Sequence, residues 1–552
     1  MTDLTGDSLN QAGIRALQAI SGYSDPLLTS LLNRMHEALN EGSLFVPCED
    51  VPEDVLLQVK SGKWPKLIGA PKEYKPVIFD GLRFFFHKYY DKETKLLESL
   101  KQLATLSDRL APDSAFESLS ALKLDKGQLA CINLALRRPF CVITGGPGTG
   151  KTITMVEIVA LWIESGMPAE SIALTAPTGR AAQRMKEALE NHLAFQGPAM
   201  ENIQIATIHR LLEYSPRKHE FRYQAQEPLP YSLVIVDEVS MVDVALMQSL
   251  LSAIDPAQSR LILIGDRDQL PSVEAGAVLA SILSTQNAKL YAGSLGHLDK
   301  VFRSKANILL VANQINSGDA PKLNLRLIQK STDYETSEDE VFLVEAKEER
   351  TLFSAFFSFW FARYIPICHQ LNRAGTEAEI LMLSLFLELE QSRILCIQKE
   401  GKRGVHYINH LFCHLAGPEF DPEYCLGTWF HGQPILILSN QIKREIYNGD
   451  VGIILRGQDG EYRVWFRRGQ KLQWFWLMDM PQMQPGFSMT VHKSQGSEFE
   501  NILVVLPQSD HRLLSREILY TALTRAKSRV FVAGDGSLVA TAAKRSQNRQ
   551  VR

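Results

Sequence analysis

Cysteine is scarce in this chain and never closely paired in sequence. The 552 residues hold seven, Cys48, Cys131, Cys141, Cys368, Cys396, Cys413 and Cys425, with no Cys-x-x-Cys. That spacing argues against cysteine-held zinc or iron–sulfur centres and for a reducing compartment. An excess of either charge is also missing, since 59 Lys and Arg stand against 62 Asp and Glu, a formal charge of −3. A uniformly basic nucleic-acid coat is thereby excluded, and any such contact must come from a local cluster of cations. Long apolar runs are absent as well. The most apolar window, Leu352–Leu371, is interrupted by Arg363, Pro366 and His369 and reads as a buried helix rather than a membrane span. The opening Met1-Thr-Asp-Leu-Thr-Gly-Asp7 has neither a basic start nor an apolar stretch, so no secretory leader is expected. These absences describe a soluble, cytoplasmic protein, and its length implies two to four domains.

What is present centres on one segment. Gly145, Gly146, Pro147, Gly148, Thr149, Gly150, Lys151 and Thr152 follow a short apolar strand, Cys141–Thr144, and lead into a helical stretch, Ile153–Ile163. This is the Gly-x4-Gly-Lys-Thr phosphate loop in the strand-loop-helix setting that its chemistry requires. Glycines let backbone N–H groups turn inward around a polyphosphate such as that of ATP, and the helix N-terminus adds partial positive charge. Lys151 is expected to reach the β- and γ-phosphates, and the Thr152 hydroxyl to ligate Mg2+.

Further stations follow along the chain. Leu233-Val-Ile-Val-Asp237-Glu238 is an apolar strand that ends in two acids, and a buried parallel strand delivers such carboxylates to the edge where the phosphate loop lies. Asp237 is expected to hold Mg2+ through water, and Glu238 to polarise the attacking water. Gln269, in Gly265-Asp-Arg-Asp-Gln269, sits just past another strand, where its amide can sense the γ-phosphate. Gln128 precedes the phosphate-loop strand by one helix, and a glutamine amide can pair with the N6 and N7 edge of adenine. Arg303 and Arg525 are candidates to stabilise transition-state charge on the γ-phosphate.

The periodicity changes twice along the chain. Residues 1 to about 115 show helical spacing in Ile14–Ile20 and Leu27–Leu39 and a dense aromatic set within 77–106, which describes a helical domain with its own core or a partner-docking module. From 116 to 300, short apolar strands at 141–144, 172–175, 232–236 and 261–264 alternate with helices, the pattern of a parallel α/β sheet. Tyr214–Leu229 interrupts it as a small hairpin. From 301 to 552 a second α/β unit is expected, with strands near 393–397, 502–505 and 528–532. It contains a strand-rich insertion at about 428–480 whose turns, Asn448-Gly449 and Asp459-Gly460, suggest a small barrel.

The order of these stations, completed by Met489-Thr-Val-His492-Lys-Ser-Gln495-Gly496 and Tyr520-Thr-Ala-Leu-Thr-Arg525, resembles superfamily 1 helicases. Within them it looks most like the RecD family, the α subunits of exodeoxyribonuclease V, through Val236-Asp-Glu-Val-Ser-Met-Val-Asp243, Asn448-Gly-Asp-Val-Gly452 and Thr490–Phe499. The likeness covers about 120–535. It implies two RecA-like P-loop NTPase domains with an SH3-like insertion, ATP and Mg2+ as cofactors, and 5′-to-3′ movement on single-stranded DNA. It places Thr178, His209, Thr490 and His492 on the DNA strand, and the hairpin where it can split a duplex. RecB-like and RecC-like subunits are the implied partners. The helical front end would then dock on the γ subunit. No nuclease cluster is evident, so degradation is expected of a partner chain. An independent helicase, or a subunit that uses ATP only as a switch, are the alternative readings.

Overall fold

The computed structural model describes residues 6–546, apart from 193–200, 273–274, 285–286, 303–305, 338, 375–377, 422–423, 426, 442–443 and 470. The chain divides into two units, one of Met1–Arg267 with Pro271–Lys300, the other of Asp268–Leu270 with Val301–Ser546.

In the first unit six strands run parallel, in the order Leu295–Leu298, Phe140–Gly145, Arg260–Gly265, Leu233–Val236, Ile172–Ala176, Gln204–Thr207. The four inner strands are buried almost end to end, which is why each reads as an unbroken apolar run. The two outer strands, Gln204-Ile-Ala-Thr207 and Leu295-Gly-His-Leu298, carry mixed residues and leave no such mark in the sequence. Because all six are parallel, their C-terminal ends gather at one edge of the sheet.

The segment ahead of this sheet differs from the expected helical domain in two ways. Its helices Gly6–Ser21, Pro26–Asn40, Glu53–Lys60 and His87–Ala104 are joined by a four-stranded sheet of Phe45–Pro47, Arg83–Phe86, Val77–Phe79 and Ile68–Gly69. Strands of two to four residues are too short for alternation to reveal them, and the aromatics Phe84 and Phe85 sit on a strand instead of a helix. The second difference concerns packing. Ile14, Leu28, Leu31, Val55 and Trp64 form a local core. Leu96, Leu100 and Leu103 of the helix His87–Ala104 instead join Leu246, Met247 and Leu250 and the strand residues Val234 and Leu261. The front end is therefore built into the first sheet's core.

The second unit has its own parallel sheet, in the order Asn324–Leu327, Glu340–Glu345, Ala526–Ala533, Phe499–Val505, Ser392–Cys396, Ser488–Thr490. One face is covered by an aromatic layer that includes Phe353, Phe356, Trp360, Phe361, Phe412 and Phe420. The apolar window resolves into two helices, Glu349–Phe361 and Tyr364–Ala374, with a 58° bend between them. Among the described residues no single helix is long and apolar enough to cross a membrane.

The insertion is a five-stranded antiparallel sheet, ordered Lys471–Trp476, Tyr462–Arg468, Val451–Arg456, Pro434–Ile437, Met483–Pro485. Its core consists of Ile435, Ile437, Ile446, Ile454, Val464 and Phe466. A small barrel was expected here; its two end strands, Lys471–Trp476 and Met483–Pro485, are not hydrogen-bonded neighbours in the sheet. Both turns carry a glycine in the left-handed region, Gly449 at φ +94° and Gly460 at φ +81°, as the Asn-Gly and Asp-Gly pairs require.

Candidate nucleotide and nucleic-acid site

The phosphate loop closes between the buried strand Phe140–Gly145 and the helix Lys151–Glu164. Gly150, at φ +87°, turns the chain into the helix, and Gly148 is also left-handed at φ +74°. Close approach fixes a third glycine, because a Cβ on Gly145 would lie 2.6 Å from Thr149 Oγ1 and 2.9 Å from the Leu298 carbonyl. Thr149 Oγ1 donates to the Gly146 carbonyl at 2.9 Å and braces the loop. Lys151 folds back over it, with Nζ donating to the carbonyls of Gly145 at 2.7 Å and Gly146 at 2.9 Å. The amine thus stands over the loop, where phosphate oxygens would accept from it.

Two strands away, Leu233–Val236 delivers Asp237 and Glu238 to the same edge. The Asp237 N–H donates to the Thr175 carbonyl at 2.9 Å, and its Oδ1 accepts from the Glu238 N–H at 2.8 Å. Part of its surface stays accessible, yet the protein around it pushes the carboxyl up to about 6. Burial is the largest cause and the charge of Glu238 the next, opposed by that hydrogen bond, Lys151 and Arg184. Glu238 holds a left-handed backbone at φ +53°, a conformation that costs a non-glycine residue about 1–3 kcal/mol. Its Oε2 is buried and has no hydrogen-bond partner among the described residues. A pair of crowded carboxylates, one with an unmet acceptor, beside a lysine and the exposed Thr152 hydroxyl fits a divalent cation and an ordered water.

Gln128 is 3% exposed and lies in the helix Lys126–Arg137. Its Oε1 accepts from the Asp125 N–H at 3.2 Å, while the Asp125 carboxylate accepts from Gly127, a reciprocal cap that fixes the helix start. The carbonyl keeps a second lone pair. Asp268, Gln269 and Leu270 follow the strand Arg260–Gly265 but belong to the second unit. There the Leu270 N–H donates to Thr521 Oγ1 at 3.0 Å, and Gln495 Nε2 donates to the Leu270 carbonyl at 2.8 Å. Gln269 is buried within that anchored segment. Arg525 is 3% exposed in the second unit, its guanidinium donating to the carbonyls of Thr521 and Ser497 at 3.2 and 3.4 Å. Arg303 lies outside the described residues.

The four expected DNA positions have distinct local settings. Thr178 caps the helix Gly179–Glu190 by accepting from the Ala181 N–H at 3.2 Å. His209 is exposed on one side and packed on the other against Tyr214 and Phe221, with ring centroids 5.8 and 5.9 Å apart. Burial against that hairpin lowers its pKa, so at neutral pH it presents an imidazole rather than a cation. Thr490 is buried at the end of Ser488–Thr490, and His492 is half-buried in the turn that follows. The hairpin itself forms, with Tyr214 and Ser215 paired to Phe221 and Glu220.

Three cations escaped the sequence reading. Arg184 acts on Asp237, and Lys493 is lowered by burial and by its neighbour Lys399. For Lys493 the signal was its place inside the Thr490–Gly496 run. For Arg184 it was its place four residues, one helical turn, after Arg180 on the helix Gly179–Glu190. Lys399 had none.

Known proteins resemble this chain over two domain-sized regions and over most of its length. Residues 128–275 match the AAA domain model, and residues 485–533 match the UvrD-like helicase C-terminal domain. A RecBCD enzyme subunit RecD from Mycolicibacterium smegmatis is 32% identical over 92% of this chain and 89% of its own. One from Mycobacterium tuberculosis is 32% identical over 97% and 93%. An ATP-dependent RecD2 DNA helicase from Deinococcus radiodurans is 30% identical over 77% of this chain and 51% of its own. A crystal structure of a Bacteroides Pif1 helicase with ADP-AlF3 and single-stranded DNA aligns over 74% of this chain and 92% of its own. Its identity is 18% and its TM-score 0.39, too distant to assign anything. The fold and these relatives define an ATP-dependent DNA helicase of superfamily 1. More narrowly, the chain belongs to the RecD family.

Proposed function

We propose that this chain is the 5′-to-3′ motor of a RecBCD-type helicase–nuclease. It would work with RecB-like and RecC-like subunits on DNA ends, in cytoplasmic double-strand break repair and recombination. The observation that carries the reading is the single sheet edge on which Lys151, Asp237 and Glu238 converge beneath a phosphate loop. Similarity to RecBCD subunits over more than nine-tenths of the chain supports the subunit form.

ATP with Mg2+, when bound, supplies a γ-phosphoryl group for transfer to water. The rest of the work falls to the chain's own side chains. Lys151 exchanges its two loop carbonyls for phosphate oxygens, a change from neutral to charged acceptors that favours binding. Asp237, through water, and Thr152 would hold the cation, and ionised Asp237 would gain there the counter-charge that Glu238 denies it. Glu238 Oε2 accepts a proton of the attacking water, which gives that buried atom its missing donor. The Gln128 amide reads adenine through its remaining lone pair and its N–H2. Gln269 senses the γ-phosphate through its amide and reports it to neighbouring loops, its own segment being held by Thr521 and Gln495. Arg303 and Arg525 stabilise the developing charge. On DNA, Thr178, Thr490 and His209 serve as neutral contacts and His492 as a fourth contact, while Lys399 and Lys493 supply charge, so phosphates are gripped without bases being read.

Polarity and partnership are tested together by strand displacement. Duplexes with a 5′ or a 3′ single-stranded tail are offered to the chain alone and to the chain mixed with RecB-like and RecC-like subunits. Unwinding of the 5′-tailed substrate, raised by the partners, is expected. Preference for the 3′ tail would refute the polarity, and full activity with no binding to those subunits would favour an independent helicase.

A further inference from the structure

The helix Val405–Phe420 of the second unit buries Val405, Ile408, Phe412, Ala416 and Phe420 in the aromatic core. Its opposite side carries His406, His410 and His414, all exposed and spaced four apart, so they form one stripe. None of the stations assigned to nucleotide or DNA uses them. The imidazoles of His410 and His414 lean together, with ring centroids 4.4 Å apart, planes at 68° and their Nε2 atoms separated by 3.3 Å.

That separation has a specific meaning. Two Zn–N bonds of about 2.0–2.1 Å meeting at the tetrahedral angle hold their nitrogens about 3.3 Å apart. Without metal the same spacing serves as a long N–H···N contact between the two rings. With both protons on Nδ1, two lone pairs converge on one point outside the helix. We propose that His410 and His414 form a two-histidine chelate for a borderline divalent transition metal, Zn2+ above all, with Cu2+ and Ni2+ as competitors.

The surroundings define what this site does. Imidazole nitrogens select these metals over Mg2+, which prefers oxygen, so the site is chemically separate from the nucleotide cation. Histidines four apart on a helix are the arrangement that metallohydrolases use, but there a glutamate lies between them. Here the intervening residues are Leu411, Phe412 and Cys413, so the site binds a metal and carries no general base. Cys413 is not a ligand, because burial raises its thiol to about 12 and its Sγ accepts from Gln433 Nε2 at 3.4 Å. His406 is engaged by Glu400, Nδ1 to Oε1 3.0 Å. Among the described residues no three His, Cys, Asp or Glu side chains converge, so water completes the coordination. The metal spans one helical turn and clamps it.

The test uses the full-length chain stripped by chelator and titrated with Zn2+ in calorimetry, with thermal unfolding alongside. Wild type should take up one more Zn2+ than the His410→Ala/His414→Ala double variant and gain a thermal shift that the variant lacks. Each single variant should weaken binding by about tenfold or more, the loss of one coordinate bond. His406→Ala should bind as wild type does. Cu2+ loaded at one equivalent should show an electron paramagnetic resonance pattern from two nitrogen donors, absent in the double variant. Equal stoichiometry and affinity in wild type and double variant would overturn the site, as would a wild type that binds no Zn2+. All variants should keep wild-type DNA-stimulated ATPase activity in Mg2+, which shows that they are folded.

Discussion

Replacing Asp237 by Asn should make the isolated chain more stable at alkaline pH while removing its activity. The Asp237 carboxyl sits at about 6 in the fold against 3.8 for an unperturbed aspartate, chiefly because it is buried and next because Glu238 lies beside it. Between those two values the folded chain holds a proton that the unfolded chain has released. Stability therefore falls as pH rises from about 4 to 6, and the loss persists above that window. A gap of about two units corresponds to about 3 kcal/mol as a ceiling, since the carboxylates titrate as a pair. Asparagine keeps an acceptor for the Glu238 N–H, a bond of 2.8 Å, and removes the charge. Urea unfolding at pH 8 should show Asp237→Asn more stable than wild type by about 1–3 kcal/mol, with the difference shrinking to roughly a third of that at pH 4.5. Mg2+ with a non-hydrolysable nucleotide should close the gap at pH 8, because the cation relieves wild type alone. A variant less stable than wild type at pH 8, or one with the same offset at both pH values, would refute this view of the acid pair.

Three other variants probe separate parts of the account. Arg525→Ala should keep nucleotide affinity and lose about 10³-fold or more in kcat, as expected for a group acting on transition-state charge; collapsed affinity with normal turnover would assign it to ground-state binding. Tyr214→Ala with Phe221→Ala removes the aromatic pair of the hairpin, centroids 5.1 Å apart, and should abolish strand displacement while sparing ATPase activity stimulated by single-stranded DNA. Parallel loss of both activities would mean that the hairpin supports the fold instead of splitting the duplex. Leu100→Ala should cost about 2–5 kcal/mol, measured by denaturant unfolding, and destabilise the first sheet together with the front end, because Leu100 lies in their shared core. Unfolding of residues 1–115 alone, in a separate transition, would show that the front end is independent.

The motor's chemistry was legible because it depends on local strings. A phosphate loop must be glycine-rich, and an inner parallel strand must be apolar before it can end in Asp237 and Glu238. The same rule located Phe140–Gly145, Ile172–Ala176 and Arg260–Gly265 to within a residue or two. It failed where burial is one-sided or elements are short. Leu295–Leu298 and Gln204–Thr207 lie at sheet edges, and the sheet that includes Val77–Phe79 and Arg83–Phe86 is too small for alternation to show. Long-range partnership was invisible for a different reason. Nothing in the helix His87–Ala104 says that Leu96 and Leu100 will meet Leu246 and Leu250. Likewise the stretch containing Gln269 shows a polar turn, but not that Leu270 is held by Thr521 and Gln495 more than 200 positions away. His209 illustrates the limit for single residues, since the histidine was visible and the aromatic packing that keeps it neutral was not.

The most direct test of the motor reading is the steady-state ATPase rate of the purified chain and of Lys151→Gln, each with and without a single-stranded oligonucleotide. Wild type should be strongly stimulated by DNA. Lys151→Gln, which keeps the fold but removes the amine poised over Gly145 and Gly146, should show no turnover in either condition. DNA-stimulated hydrolysis by Lys151→Gln at the wild-type rate would contradict the phosphate-loop assignment. A wild type that binds ATP but hydrolyses it no faster with DNA would contradict the motor itself.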